Sequence, residues 1–304
     1  MSARHRSYFL LLIVAIIWGF ATPIIKYTFT FISPGHFLTY RFFISTIVML
    51  PILFLSEPDV LRQLTRLDSK DWCYFLLGGL LGSTGQLGLL FWGLNLTTSL
   101  DGSIINATSP ILVSLAGFFF LKEKITSSEK LGLVIAFLGS IIIVLQPLFE
   151  GHSIFSGNVI GNFLVFLGTL AWVIYVITTK KGLNNKLSPL LLTTNMFVIG
   201  FISMLFIVTL HAPIPTIINS ISTAPFSAHM GVLYMALFSG TIAYWLYQKA
   251  QELIEASEAN IILYLSPIFT FPVAYFWLGE PITPLLIIGS VTIILGVLIS
   301  QFKR

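Results

Sequence analysis

The chain has 304 residues, 56% hydrophobic and 9% charged, with a mean hydropathy of +0.93. Soluble domains carry about 25% charged residues, so an ordinary soluble globule is excluded and the excess apolar surface has to face lipid. The net charge of +4 is dispersed over short loops and not gathered in a patch, which argues against nucleic acid as a partner; a single cysteine, Cys73, excludes an intrachain disulfide.

Ten apolar runs follow one another, at 8–29, 34–55, 72–93, 102–121, 131–148, 158–179, 189–210, 229–248, 259–278 and 284–301. Each is close to the roughly 20 residues that cross a hydrocarbon core about 30 Å thick. The first run holds Pro23 and Lys26, lacks a small-residue cleavage site and is followed by nine similar runs, so it reads as a span and not as a signal peptide. The second holds Arg41, a charge within the run. The third carries Gly78, Gly82, Gly85 and Gly88 near one face, as close helix contact requires. Glycines also recur in the fifth and tenth runs, as Gly132, Gly139, Gly289 and Gly296. The runs do not alternate with period two, which excludes a β-barrel.

Of the 16 lysines and arginines, 14 fall in the termini and in the loops on one side, leaving Lys26 on the other side and Arg41 inside the second run. By the positive-inside rule both termini are expected in the cytoplasm.

The chain reads as one unit written twice. Ser109-Pro110 and Ser266-Pro267 are 157 residues apart, and so are Glu123 and Glu280, each 13 residues after its proline. Gly132 and Gly139 fall on Gly289 and Gly296 in the same register, while Trp18 and Lys26 fall on Trp172 and Lys180 at an offset of 154. Five spans per unit is an odd number, so the second unit inserts upside down. The expected fold is an all-α polytopic membrane protein of ten transmembrane helices in two inverted five-helix repeats, 1–150 and 151–304.

The segment Trp18-Gly19-Phe20-Ala21-Thr22-Pro23 with Lys26, and the Ser-Pro followed by Leu121-Lys122-Glu123-Lys124-Ile125-Thr126 and by Leu278-Gly279-Glu280-Pro281-Ile282-Thr283, resemble the drug/metabolite transporter superfamily and its EamA-type branch. The resemblance covers nearly the whole chain as two tandem repeats. It implies ten helices, cytoplasmic termini, and export or exchange of small metabolites such as amino acids. The halves are not simple duplicates: Arg41 is matched by Asn195, and Pro272 by Leu115.

Candidates for function follow from cost. A proline inside a span frees a backbone carbonyl four residues earlier, and in a membrane that carbonyl needs a partner. Pro23, Pro110 and Pro267 are therefore candidate hinges that free Gly19, Asn106 and Leu263, or kinks that serve packing. Arg41 lies about 10 Å below the outer surface at 1.5 Å per residue. It is a ligand for a substrate carboxylate, part of an outer gate, or a snorkelling anchor. Trp18, Trp172, Tyr175, Tyr244, Trp245 and Tyr264 bring aromatic surface, most of it with polar tips, to mid-span, for a cavity or for packing. Gln86, Asn106, Ser109, Asn195 and Ser266 add hydrogen-bonding groups to that cavity or fasten helices.

No Walker loop, dinucleotide fingerprint or metal-spaced Cys/His cluster is present, so neither an enzyme, a cofactor nor a bound metal is expected. The expected partners are a small-molecule substrate and the lipid bilayer, with the protein a monomer or homodimer. The expected function is secondary transport of small organic metabolites across the inner or plasma membrane by alternating access at a midplane cavity. A lipid-directed membrane enzyme or a non-transporting sensor is the alternative. All 12 acidic residues can be placed outside the hydrocarbon core, so transport is expected to follow the solute's own gradient or exchange, with Asp101 and Glu258 the relay candidates should protons couple.

Overall fold

The computed structural model describes residues 3–65, 67–97, 99–145, 158–278 and 283–301. Every regular element among the described residues is helical. The spans are α1 (Ala3–Phe29), α2 (Pro34–Ser56), α3 (Ser69–Leu96), α4 (Ser99–Ala107, then Ser109–Ala116 running into Gly117–Leu121) and α5 (Ser127–Val144). The second half supplies α6 (Val159–Asn184), α7 (Pro189–Thr209), α8 (Phe226–Leu253), α9 (Ala256–Ile262, Leu263–Leu265 and Ser266–Leu278) and α10 (Pro284–Gln301). Among the described residues each apolar run overlaps one of these ten helices, and the protein is an all-helical polytopic membrane protein.

The breaks between spans have local causes. Thr126 and Glu129 form a reciprocal capping box at the start of α5. The Asn158 side chain accepts the Ile160 amide, and the Ser188 hydroxyl accepts the Leu191 amide just before Pro189. Two short helices, Val60–Leu64 and Ile214–Ser222, join the second and third spans of each half at matching places. The sequence reading passed over both, because neither is long enough to register as a span.

Helix packing has two-fold logic. The pairs α2·α7 and α5·α10 each join equivalent spans of the two halves. Exchanging the halves turns α3·α6 into α8·α1, α4·α6 into α9·α1 and α3·α7 into α8·α2, and all six of these contacts are made. This is the relation expected of two repeats related by a two-fold axis. The boundary near residue 150 lies outside the described residues. Large apolar side chains such as Leu55, Val159 and Phe276 cover the outside, where lipid is their solvent.

Glycine makes the α5·α10 contact possible. A Cβ on Gly132 would come 2.4 Å from the Gly296 carbonyl oxygen, and one on Gly139 would come 2.7 Å from the Ile293 backbone nitrogen. These neighbours are backbone and cannot yield. Overpacking of this kind costs about 1–3 kcal/mol, so Gly139→Leu is expected to lower the melting temperature in detergent by several degrees. Leu138→Ala, at a lipid-exposed neighbour, should leave it nearly unchanged.

Candidate functional site

Two repeat-related spans are irregular part-way along their length. In α3 the stretch Leu81–Gly88 is π-helical, and in α8 so is Leu237–Ile242. A Cβ on Gly85 would come 3.2 Å from the Leu80 carbonyl oxygen, and one on Gly240 would come 3.0 Å from that of Met235. Each contact reaches five residues back, and the two are 155 residues apart, so this irregularity belongs to the repeat. Such π turns displace backbone carbonyls from the regular ladder and are frequent at functional sites.

Aromatic rings gather against these turns. The repeat-related Trp18 and Trp172 meet edge to face at 5.8 Å between ring centroids. The Trp18 ring also lies 5.2 Å from Tyr244 and 5.7 Å from Tyr247, while Trp172 lies 5.3 Å from Tyr175. Their polar tips find partners. Trp18 Nε1 donates to the Ser239 carbonyl, in the π stretch of α8, at 3.0 Å. Trp172 Nε1 donates to Asn260 Oδ1 at 3.2 Å, and Asn260 Nδ2 donates to the Tyr247 hydroxyl at 2.8 Å. Gln248 Nε2 donates to the Tyr175 hydroxyl at 2.6 Å, Gln251 Nε2 to the Tyr247 hydroxyl at 3.1 Å, and the Tyr244 hydroxyl to Gln86 Oε1 at 3.3 Å. The buried amide oxygens of Gln248 and Gln251 have no donor among the described residues.

Sequence reasoning had picked out five of these residues: Trp18, Gln86, Trp172, Tyr175 and Tyr244. It missed Tyr247, Gln248, Gln251 and Asn260. The signal was available, since Tyr244/Gln248 and Tyr247/Gln251 are each one turn apart on a single face of α8; of the four, only Gln251 lies beyond the apolar runs.

Arg41 does not snorkel. Its side chain is 1% exposed, and Nε has no hydrogen-bond partner among the described residues. One turn further along α2, the Ser45 hydroxyl donates to the Ala236 carbonyl at 3.0 Å, as does Thr241 Oγ1. That places this face of α2 against the start of the π stretch of α8, with Arg41 within electrostatic reach of Tyr244.

The proline breaks are closed by hydroxyls from other spans. The Gly19 carbonyl freed by Pro23 accepts from Thr270 Oγ1 of α9 at 2.8 Å. At the break before Ser109-Pro110, the bonded carbonyl is that of Ala107, not Asn106 as the sequence predicted, and it accepts from the Tyr264 hydroxyl at 2.9 Å. The difference arises because the helix restarts at Ser109 and places Pro110 in a first turn, where no i−4 bond is due. Likewise Ser266-Pro267 opens a fresh helical piece after a 3₁₀ turn.

Other candidates fasten helices. Asn106 Oδ1 accepts from Thr169 Oγ1 of α6 at 3.1 Å, and Asn195 Nδ2 donates to the Phe75 carbonyl of α3 at 2.6 Å. Trp245 lies under the Lys249 ammonium at 4.8 Å and makes no ring contact with the cluster among the described residues.

The end that carries the chain termini is clamped by charge. The Glu123 carboxylate accepts the Ala256 amide at 2.7 Å and the Ser257 amide at 3.1 Å, capping the N-terminus of α9. Its approach depends on the left-handed backbone of Lys122, at φ 58°, and on Gly117, where a Cβ would come 2.5 Å from Oε2. Lys180 Nζ donates to the Gln251 carbonyl, and to that of Ile254 at 2.9 Å, capping the C-terminus of α8. Glu258, placed by the sequence around a loop, is the third residue of α9; it pairs with Arg4 Nε at 2.9 Å and accepts from the Tyr8 hydroxyl. A cavity of about 600 Å³ opens here, lined by Arg4, Lys124, Lys180, Glu252, Glu255 and Glu258 among others. Glu280, the repeat partner of Glu123, lies outside the described residues.

Comparison with known proteins agrees with this architecture. The model of the EamA-like transporter family matches twice, at residues 5–145 and 159–302. The chain is similar to the uncharacterized transporter YyaM of Bacillus subtilis (strain 168), with 29% identity over 294 residues, 97% of this chain and 93% of that one. It is as similar to an uncharacterized transporter of Archaeoglobus fulgidus, with 29% identity over 98% of this chain and all of the other. A crystal structure of another protein superposes with a TM-score of 0.81 over 98% of this chain and 97% of its own; at 15% identity it speaks for the fold alone. With both of its halves matched in tandem, the chain belongs to the EamA-like transporter family.

Proposed function

We propose that the protein is a secondary transporter that moves small organic metabolites, amino acids or similar solutes, across the cytoplasmic membrane by alternating access, in export or exchange, with both termini in the cytoplasm. The observation that carries this reading is the meeting of the two broken helices. α4 and α9 each restart at their Ser-Pro, and Tyr264 of one break bonds Ala107 of the other. Helices broken at mid-depth place polar backbone where a solute crosses, and two related halves can rock about such a point.

The clamp supports a closed cytoplasmic mouth in this conformer. Glu123, Lys180 and Arg4 hold the α8–α9 bend from three different elements, and all three contacts have to release before that side opens. Opening trades hydrogen bonds to charged groups, each worth about 1.5–3 kcal/mol net, for interactions with water. A shift in the balance between states needs no larger energy than this.

Three outcomes check this reading. Proteoliposomes holding the purified protein should exchange labelled solute against unlabelled solute without an imposed pH gradient. Accumulation that follows the pH gradient and vanishes with a protonophore would contradict gradient-driven or exchange transport. With Cys73 replaced, a single cysteine at Thr216 should react with an impermeant thiol reagent from outside intact cells, and ones at Ser69 or Ser127 should not; the reverse pattern would invert the topology. Finally, Ser257 is fully buried beneath the Glu123 cap. A cysteine there should label slowly from the cytoplasmic side, and Glu123→Ala should speed that labelling about tenfold or more, as the loss of two hydrogen bonds to a charged group allows.

A further inference from the structure

We propose that the solute carried by this protein is a small organic carboxylate with an apolar or aromatic body, and that Arg41 supplies the cation that binds its carboxylate. The inference rests on the transporter reading above and names its substrate class.

The first observation is an uncompensated charge. Arg41 is 1% exposed, its Nε donor has no acceptor, and no ion pair to it is formed among the described residues. A buried ion without a partner is expensive by several kcal/mol, and proteins pair such ions or expose them. Among the described residues, no carboxylate pairs with it. Glu57, the first acidic residue after α2, is 16 residues along from Arg41, or about 24 Å at 1.5 Å per residue, and it already accepts from Ser188 Oγ at 2.8 Å. Glu123, Glu252, Glu255 and Glu258 are gathered at that same end of the molecule, in or around the charged clamp.

The second observation is what surrounds the charge. Arg41 lies within electrostatic reach of the Tyr244 hydroxyl, and Phe42, the next residue of α2, meets Phe197 at 6.0 Å between ring centroids. Tyr244 belongs to the aromatic cluster, with its ring 5.2 Å from Trp18, 6.1 Å from Tyr175 and 6.0 Å from Phe197. An anion on Arg41 thus has aromatic faces beside it for the rest of the molecule. A guanidinium presents a planar fork that matches a carboxylate with two parallel hydrogen bonds. A single cation also matches a monoanion better than the double charge of a phosphate ester.

The test uses the full-length protein in detergent and in proteoliposomes. The probes are 3-phenylpropanoate, its methyl ester, 3-phenylpropylamine and phenyl phosphate, with binding read from the quenching of tryptophan fluorescence. The acid is expected to bind at least about tenfold more tightly than the ester, the amine or the phosphate. Arg41→Gln should erase the preference for acid over ester, and Arg41→Lys, which keeps the charge but not the fork, should restore part of it. Selectivity of the wild-type protein stands as its own readout if Arg41→Gln fails to fold. The proposal is overturned if the acid binds no better than the ester, or if folded Arg41→Gln keeps the full preference. Flux separates the two claims. Selective binding of the acid without counterflow in proteoliposomes would sink the transporter reading and leave the anion site standing. Counterflow of amine or ester at equal rates in wild type and Arg41→Gln would sink the carboxylate assignment and leave the transporter standing.

Discussion

A backbone carbonyl at the middle of a membrane has no water to turn to, and much of this structure follows from how two such carbonyls are satisfied. Pro23 frees the carbonyl of Gly19, and the break before Ser109 frees that of Ala107. Both accept a hydroxyl from α9, Thr270 in one case and Tyr264 in the other. Each unsatisfied group would cost several kcal/mol in hydrocarbon, so α9 is held against α1 and α4 by need as well as by shape. Gly19 makes the approach possible, because a Cβ there would come 2.6 Å from the Ser266 carbonyl oxygen. The π stretches of α3 and α8 are a second device of the same kind, and the carbonyl of Ser239 takes the Trp18 indole while that of Ala236 takes the hydroxyls of Ser45 and Thr241.

The two halves share a plan and differ in chemistry. Trp18 and Trp172 are related by the repeat and touch each other near the axis, yet one bonds a backbone carbonyl and the other the side chain of Asn260. Arg41 has Asn195 as its counterpart, and Asn195 fastens α7 to α3 and carries no charge. A symmetric frame with an asymmetric lining suits the alternating access proposed above, in which two related halves rock and a solute meets different groups from each. The charged clamp adds a further asymmetry, since it gathers Glu123, Lys180, Arg4 and Glu258 at the end of the molecule where both termini lie.

Hydrophobicity and repetition made the fold legible. Ten apolar runs, the paired Ser-Pro steps and the matched glycines each correspond to an element or a contact, because span length and helix approach are set by bilayer thickness and by the absence of a Cβ. The carbonyl freed by Pro23 was likewise legible from covalent geometry. Side-chain partners were not. Whether Arg41 snorkels depends on which helix lies beside α2, and whether Asn106 lines a cavity or bonds Thr169 depends on the rotation of α4. Neither is encoded locally. The π turns were hidden for a similar reason, since Gly85 and Gly240 look like ordinary packing glycines until the carbonyl five residues back is in view. Glu123 and Glu280 stood out as repeat marks, but the cap that Glu123 provides joins residues 133 positions apart and has no sequence signature.

The central claim is that the Arg4–Glu258 end of the molecule has to separate for a solute to pass. A chemical lock across that contact tests it most directly. Cysteines introduced at Arg4 and Glu258 in a Cys73→Ser background would be joined by a short reducible bifunctional thiol reagent. Counterflow in proteoliposomes would be measured before joining, after joining and after reduction. Counterflow should fall to the background of empty liposomes when the lock is closed and return when it is reduced, whereas counterflow that continues unchanged through a verified cross-link would contradict alternating access at this gate.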